Sequence, residues 1–418
     1  MTQTCASYED WSLKDLSNLP SPLEIDRELS VRNLGDFLVN HWRYVETAPY
    51  AHGRHIDCLV DHLDAVRSRQ ITRLLITIPP RHMKSLTVSV FFPAWMWLTA
   101  PETRFLYASY AHSLSLRDSV KCRRIIQSPF YQSILEQRKT SWELTGDQNT
   151  KTRFDNTEGG YRIATSVDGA LTGEGGDIIV VDDPHNVREH ESESIRTACL
   201  HWWDEAMSTR LNNPDTGVYI IIMQRVHEED LAGHILAREH NWTHVCLPAR
   251  YENTNRIISP LPQWKTDWRT KTNQPLWPER YDSDSLNELE NKMGPYAAAG
   301  QLQQRPAPRE GGMFHPDMFQ VINAGEYRNP QHYKISEKDM GDTWGNTGDN
   351  GSRGAGNKAG AGANGGGGGG AVEGAGTLSL PAKVIKKIRY WDKAGTQGGG
   401  AYTAGVLMGK LADGKFAV

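Results

Sequence analysis

The sequence predicts an α/β fold with a mainly parallel sheet, on three observations. Apolar runs of strand length recur between helix-length segments from Leu74 to Ala249. Most of these runs are apolar throughout, as strands buried on both faces are, with no alternation of apolar and polar residues. Charged residues collect where the runs end, which is where open α/β sheets hold their ligands.

Taken in order, the strands are expected at Leu74–Ile78, Arg104–Tyr110, Tyr161–Ser166, Ile178–Val181, Val218–Met223 and Thr243–Leu247. Helical segments between them include Ser113–Ile126 and Ser192–Leu211. In the first, Arg117, Lys121, Arg123 and Arg124 make a basic face, the pattern of a solvated helix surface. Leu86 to Ala100 reads as a buried helix interrupted by Pro93, too short to span a bilayer. The stretch from Pro260 to Pro308 is rich in Trp, Pro and polar residues and holds one helical segment, Ser283 to Met293.

The composition then changes. Thirteen of the 26 residues from Gly351 to Gly376 are glycine, and such a segment cannot offset its ordering entropy, so a flexible tether is expected. The remaining stretch, KVIKKIRYWDKAG and AYTAGVLMGKLADGKFAV, has the pattern of a strand followed by a hairpin turning at Ala412 to Gly414. A domain ending on its third strand would leave an unclosed core, so this part is expected to be truncated.

A chain of 418 residues is long enough for two or three domains. Its net charge of −4 excludes a uniformly basic coating protein but leaves room for a local basic groove. Cys5, Cys58, Cys122, Cys199 and Cys246 stand singly, a usage that fits a reducing cytoplasm. The N-terminus carries no basic segment followed by an apolar one, so no secretory signal is read there.

Three constellations carry chemistry. In LLITIPPRHMKS, residues 74–85, a strand ends in a turn and Arg81, Lys84 and Ser85 precede a helix. A helix start exposes N–H groups and a positive dipole end to an anion, Lys84 would reach terminal phosphates, and Ser85 would ligate Mg²⁺. The glycines of G-x-x-x-x-G-K-[ST] are missing, since Ile78 and Met83 stand at those positions; a plain Arg/Lys-bearing turn fits the segment equally well. In GGDIIVVDDPH, residues 175–185, an apolar strand delivers Asp182 and Asp183. Asp182 is placed to hold Mg²⁺ through water and Asp183 to activate an attacking water, which favours nucleotide hydrolysis. In VYIIIMQRVHEEDLAGH, residues 218–234, another strand ends in Gln224 and Arg225, groups that would sense a γ-phosphate. HEEDL is not the zinc pattern H-E-x-x-H, and His52 and His55 are read as structural or surface histidines.

From about His41 onward the chain resembles a known family. PPRHMKS, SVDGALTGEGGD, VVDDPHN, STRLNNP, MQRVHEEDLAGH and GPYAAAGQLQQRPAPREGGMF follow, in order, the pattern of the large terminase subunit of tailed bacteriophages. The resemblance implies an ASCE-type P-loop ATPase that pumps double-stranded DNA into a procapsid in the host cytoplasm, without a membrane. It implies ATP and Mg²⁺ as cofactors. Implied partners are a portal protein, a small terminase subunit and further copies of the chain in a ring. Carried over, Pro80, Arg81, His82, Met83, Lys84 and Ser85 form the phosphate loop, Asp182 and Asp183 the Walker B pair, and Gln224 with Arg225 the coupling segment. Lys84, Asp183 and Arg81, the last as a cis arginine, are the expected catalytic groups.

The same resemblance makes IRYWDKAGTQGGGAYTAGVLM the opening hairpin of an RNase H-like nuclease, in which carboxylates hold two divalent metals, Mg²⁺ or Mn²⁺. Asp392 fits the first of those carboxylates. Ala401 stands where related sequences can carry an aspartate, so cleavage by this chain is not expected. The implied organisation is an N-terminal segment 1–57, an ATPase core 58–250, a linking subdomain 251–344, a Gly-rich linker 345–380 and a truncated nuclease domain 381–418. A helicase-like DNA translocase and an inactive prophage remnant are the alternatives.

Overall fold

The structure, a computed structural model, describes residues 20–167, 169 and 173–307, together with the backbone of 384–392, 404–411 and 416–417. The chain divides into two units, Met1–Arg309 and Glu310–Val418. The Gly-rich segment 345–380, the turn at Ala412 to Gly414 and residues 308–344 of the expected linking subdomain lie outside the described residues.

In the first unit the strands are β1 (Arg73–Thr77), β2 (Phe105–Ser109), β3 (Leu144–Asn149), β4 (Arg153–Asn156), β5 (Tyr161–Ser166), β6 (Ile178–Asp182), β7 (Val218–Met223), β8 (Thr243–Cys246) and β9 (Ile257–Ile258). They form one sheet in the order β3-β4-β5-β2-β6-β7-β1-β8-β9. From β5 to β8 every pairing is parallel, and antiparallel strands stand at the two edges. The fold is therefore α/β with a mostly parallel sheet. The six expected strands are its parallel centre, each within a residue or two of its expected bounds. β3 and β4 were not legible as strands, because LTGDQN and RFDN are polar edge segments without an apolar run.

Alternate residues of each central strand enter different cores. Val218, Ile220 and Ile222 of β7 face a large aromatic core shared with the segment 31–98, whereas Tyr219, Ile221 and Met223 pack on Trp203, Leu231 and Ile235 across the sheet. That alternation explains the uninterrupted apolar runs. It also sets Asp182 on the same face as Val180, toward the segment that follows the turn after β1.

That segment is not a regular helix. Leu86–Phe91 forms a π-helical turn and Phe92–Met96 an α-helix. Pro93 is the cause: it has no N–H to offer the carbonyl four residues back, that of Ser89. The fully buried Arg162 supplies the missing donor, its Nη2 bonding Ser89 O at 3.0 Å, and Tyr107 Oη bonds Val88 O at 3.1 Å. The π turn thus begins directly behind Lys84 and Ser85, a placement common at functional sites.

Downstream, Trp264, Leu276 and Trp277 join the large core, and Ala249, Leu286, Ala298 and Leu302 make a small one. The helix Ser283–Ala297 breaks at Gly294, whose φ of 76° suits glycine, just before Pro295. The second unit contains β10 (Val384–Asp392), β11 (Ala404–Leu411) and β12 (Phe416–Ala417), antiparallel in that order. Among the described residues no helix is long and apolar enough to cross a membrane.

Candidate functional site

The carboxyl ends of β1, β2, β6 and β7 meet at one cleft of about 570 Å³. Parallel strands with crossovers bring these ends to the same edge, and β7 lies between the loop strand β1 and the acidic strand β6. Pro80, Arg81, Met83, Lys84 and Ser85 line the cleft, opposite Asp182, Asp183 and Gln224.

The loop has the backbone of an anion nest without its glycines. Ile78 still belongs to the sheet, donating its N–H to Met223 O at 3.1 Å, so the first glycine position makes no special demand. The left-handed positions are Arg81, with φ 64°, and Met83, with φ 62°. Non-glycine residues there cost about 1–2 kcal/mol each, and such strain persists where surrounding packing fixes it. Met83 is so fixed, being buried in the large core. Among the described residues, no backbone or side-chain acceptor takes the N–H of Arg81, His82 or Met83. Alternating hands at a turn with free N–H groups make an anion-binding concavity.

Lys84 is buried, and its Nζ lies 2.6 Å from Asp183 Oδ2. The Gln224 N–H, at the end of β7, donates to Asp183 Oδ1 at 3.1 Å. Asp183 itself has φ 44° and is fixed on both sides, its N–H to Ile222 O and its C=O from the Tyr110 N–H. Asp182 accepts from Ser85 Oγ at 3.0 Å and from Ser89 Oγ at 2.8 Å. Burial first, and the neighbouring Asp183 second, raise the Asp182 pKa, against the pull of Lys84. Among the described residues Gln224 Oε1 is buried without a hydrogen-bond partner, an acceptor left over beside these groups. The pair Ser85 Oγ and Asp182 is the hard-oxygen donor set Mg²⁺ takes, so the residues fit that ion.

Two expected binding residues sit elsewhere. The His82 ring is buried against Tyr281, with centroids 5.1 Å apart, and its Nδ1 meets Pro80 O at 2.9 Å; burial pushes its pKa down to about 4. Its contribution to the cleft is its backbone. The Arg225 guanidinium turns away and is held by the fully buried Asp230, Nε to Oδ1 at 2.8 Å and to Oδ2 at 2.9 Å. Asp230 also accepts the N–H groups of Val226 and of Gly233, capping the helix Leu231–Arg238. Asp392 is the last residue of β10, paired with Ala404 in the second unit.

Several residues that the motifs did not single out build this region. Ser89 holds Asp182. His185, two residues past Asp183, accepts the Leu231 N–H on Nε2 at 2.9 Å and so ties the end of β6 to the helix after β7. Gln304 accepts the Arg225 N–H at 3.0 Å, docking the GPYAAAGQLQQRP block on the exit of β7. The basic face of His112–Ile126 is not a single solvated surface. Arg117 and Lys121 line the cleft, paired with Asp118 and Glu46, while Arg123 bonds the backbone of Asn149 and Thr150; of the four, Arg124 is exposed outside the cleft lining.

No protein-family model and no curated protein matches the chain. Among solved structures it is similar to a mutant ATPase domain of the Thermus phage P74-26 large terminase, at 11% identity over 64% of this chain and 97% of that one, with a TM-score of 0.37. It is also similar to the large terminase of bacteriophage HK97, at 13% identity over 67% of this chain and 55% of that one, with a TM-score of 0.37. A third is the large terminase of a thermophilic bacteriophage in complex with ADP, at 11% identity over 44% of each chain, with a TM-score of 0.28. The chain thus spans little more than half the length of the HK97 protein.

Proposed function

We propose that this cleft hydrolyses ATP and that the chain is the motor subunit of a phage-type terminase. One observation carries the chemistry: a glycine-free nest, with three N–H groups free among the described residues, leads into Lys84, which is paired with the acid that follows β6, two strands away in the same sheet. An ion pair between the loop lysine and the candidate base is a resting arrangement. A polyphosphate entering the nest offers Lys84 a more highly charged partner and frees Asp183. Asp183 is then the acceptor for a proton of the water attacking the γ-phosphorus, and the Gln224 N–H keeps it aimed. Mg²⁺, held by Ser85 and Asp182, would neutralise charge on the β- and γ-phosphate oxygens. Gln224 Oε1 is a second acceptor for that water.

The motor reading rests on the sequence resemblance. It takes double-stranded DNA as the translocated partner, gripped mainly through phosphates, with a portal protein, a small terminase subunit and a ring of this chain as the assembly. It places the work in the host cytoplasm, docked on a procapsid. Under the same reading the sheet β10–β12 belongs to a two-metal nuclease fold, with Asp392 as one ligand. Phosphate release from ATP with Mg²⁺, measured with and without linear duplex DNA, tests the proposal. Turnover that rises with DNA and falls at least about 100-fold in Asp183→Asn supports it. Turnover indifferent to both would overturn it.

A further inference from the structure

The nucleotide cleft contains an arginine that is built for a ligand and is used by no motif. Arg117 lies on His112–Ile126, the helix that follows β2, whereas the phosphate loop follows β1. In the sheet β2 and β1 flank the β6–β7 pair on opposite sides. Arg117 therefore enters the cleft from the β2 side, close enough to Asp182 to feel its charge, whereas the phosphate loop enters from the β1 side.

Its guanidinium is locked side-on. Nε donates to Asp118 Oδ1 at 2.8 Å and Nη2 to Asp118 Oδ2 at 3.0 Å. Asp118 is buried, so the clamp sits on the fixed part of the helix, while the arginine side chain is about half exposed to the cleft (51%). A side-on pair uses one edge of the fork. Both N–H groups of Nη1 and the second of Nη2 remain, and no other protein acceptor takes them among the described residues. Asp182 and Glu46 also act on Arg117 and reinforce its charge, after Asp118 itself. A surface arginine gains little from such a pair, whereas one whose free edge must meet a phosphate oxygen gains a fixed orientation.

We propose that Arg117, positioned by Asp118, contacts the terminal phosphate of a bound nucleoside triphosphate from the side opposite the phosphate loop, giving the cleft a second cationic grip supplied by the same chain. The inference rests on the nucleotide reading of the cleft and assigns to Arg117 the cis role for which sequence had offered Arg81. No bond to Arg117 forms or breaks; it stabilises charge on the departing phosphoryl group.

The test uses the full chain and four variants, with ATP turnover and the binding of ATP and ADP measured separately. Arg117→Ala is expected to lower kcat at least about 100-fold while ADP affinity changes less than threefold, because ADP lacks the phosphate that Arg117 meets. Asp118→Asn, which keeps the arginine but loosens its hold, is expected to lower kcat about tenfold at unchanged KM. Removing Arg117 alone leaves a buried unpaired carboxylate, so a double variant, Arg117→Ala with Asp118→Asn, is expected to fold and to show the same loss as Arg117→Ala. Lys84→Ala separates the two levels. If Lys84→Ala abolishes nucleotide binding while the double variant turns over ATP within twofold of the parent, the proposal is overturned and the nucleotide reading survives. If Lys84→Ala binds ATP as the parent does, both fall.

Discussion

Lys84 Nζ and Asp183 Oδ2, 99 residues apart in sequence, lie 2.6 Å apart across the ends of β1 and β6. The contact couples the loop to the acid: whatever draws Lys84 away frees Asp183. Substituting Asp183→Asn removes the partner charge without changing shape, so Lys84 is expected to meet a nucleotide with less competition. Nucleotide affinity should stay equal or rise while turnover falls at least about 100-fold. Binding isotherms and phosphate release on the same preparation check the two halves, and a parallel loss of both would contradict the coupling.

The Arg225–Asp230 clamp is a stability element next to the site. Asp230 serves Arg225 Nε and the N–H groups of Val226 and Gly233 at once. Asp230→Ala strands a nearly buried arginine and uncaps a helix, and is expected to cost about 3–5 kcal/mol. Asp230→Asn, which keeps an acceptor for the cap, should cost less. Urea unfolding midpoints decide the order; equal midpoints for the alanine variant and the parent would refute the clamp.

Acid should weaken the fold through His185. Burial, the largest cause, pushes its pKa down to about 4 from an ordinary 6.5, and its Nε2 must be unprotonated to accept the Leu231 N–H. Between those values the unfolded chain binds the proton and the folded chain does not. Stability is therefore full above pH 6.5 and is lost as pH falls toward 4, by about 3 kcal/mol from this group. His185→Gln is expected to flatten the stability-against-pH curve by one proton in that window. An unchanged slope would show that His185 titrates normally.

Arg81 separates backbone strain from side-chain chemistry. At φ 64° an exposed arginine stands where glycine is unstrained, so Arg81→Gly is expected to stabilise the fold by about 1 kcal/mol. Arg81→Ala keeps the strain and should not. Thermal unfolding reads the difference, and identical melting points would show the turn relaxing in the parent.

What was legible in the sequence follows from burial. Strands buried on both faces write uninterrupted apolar runs, so the parallel centre of the sheet and the carboxyl-end positions of Lys84, Asp182 and Asp183 could be read directly. β3 and β4 write nothing distinctive because their side chains are largely polar. The turn geometry was hidden as well: left-handed positions at Arg81 and Met83 carry no glycine to announce them, since packing under the loop holds Met83 there. Partnerships across long separations have no local signature, which is why Arg225 read as a phosphate sensor before Asp230 was seen to hold it. Asp118 was likewise one acid in a basic helix until its carboxylate was found locking Arg117.

The central claim is that the loop from Pro80 to Ser85 grips the phosphates of ATP without glycine. Calorimetric titration of the full chain with ATP and Mg²⁺, parent against Lys84→Ala, tests it most directly. Saturable one-site binding by the parent, weakened at least about tenfold in Lys84→Ala while far-UV circular dichroism is unchanged, is the predicted result. Binding of equal strength in the two proteins, or none in the parent, would contradict it.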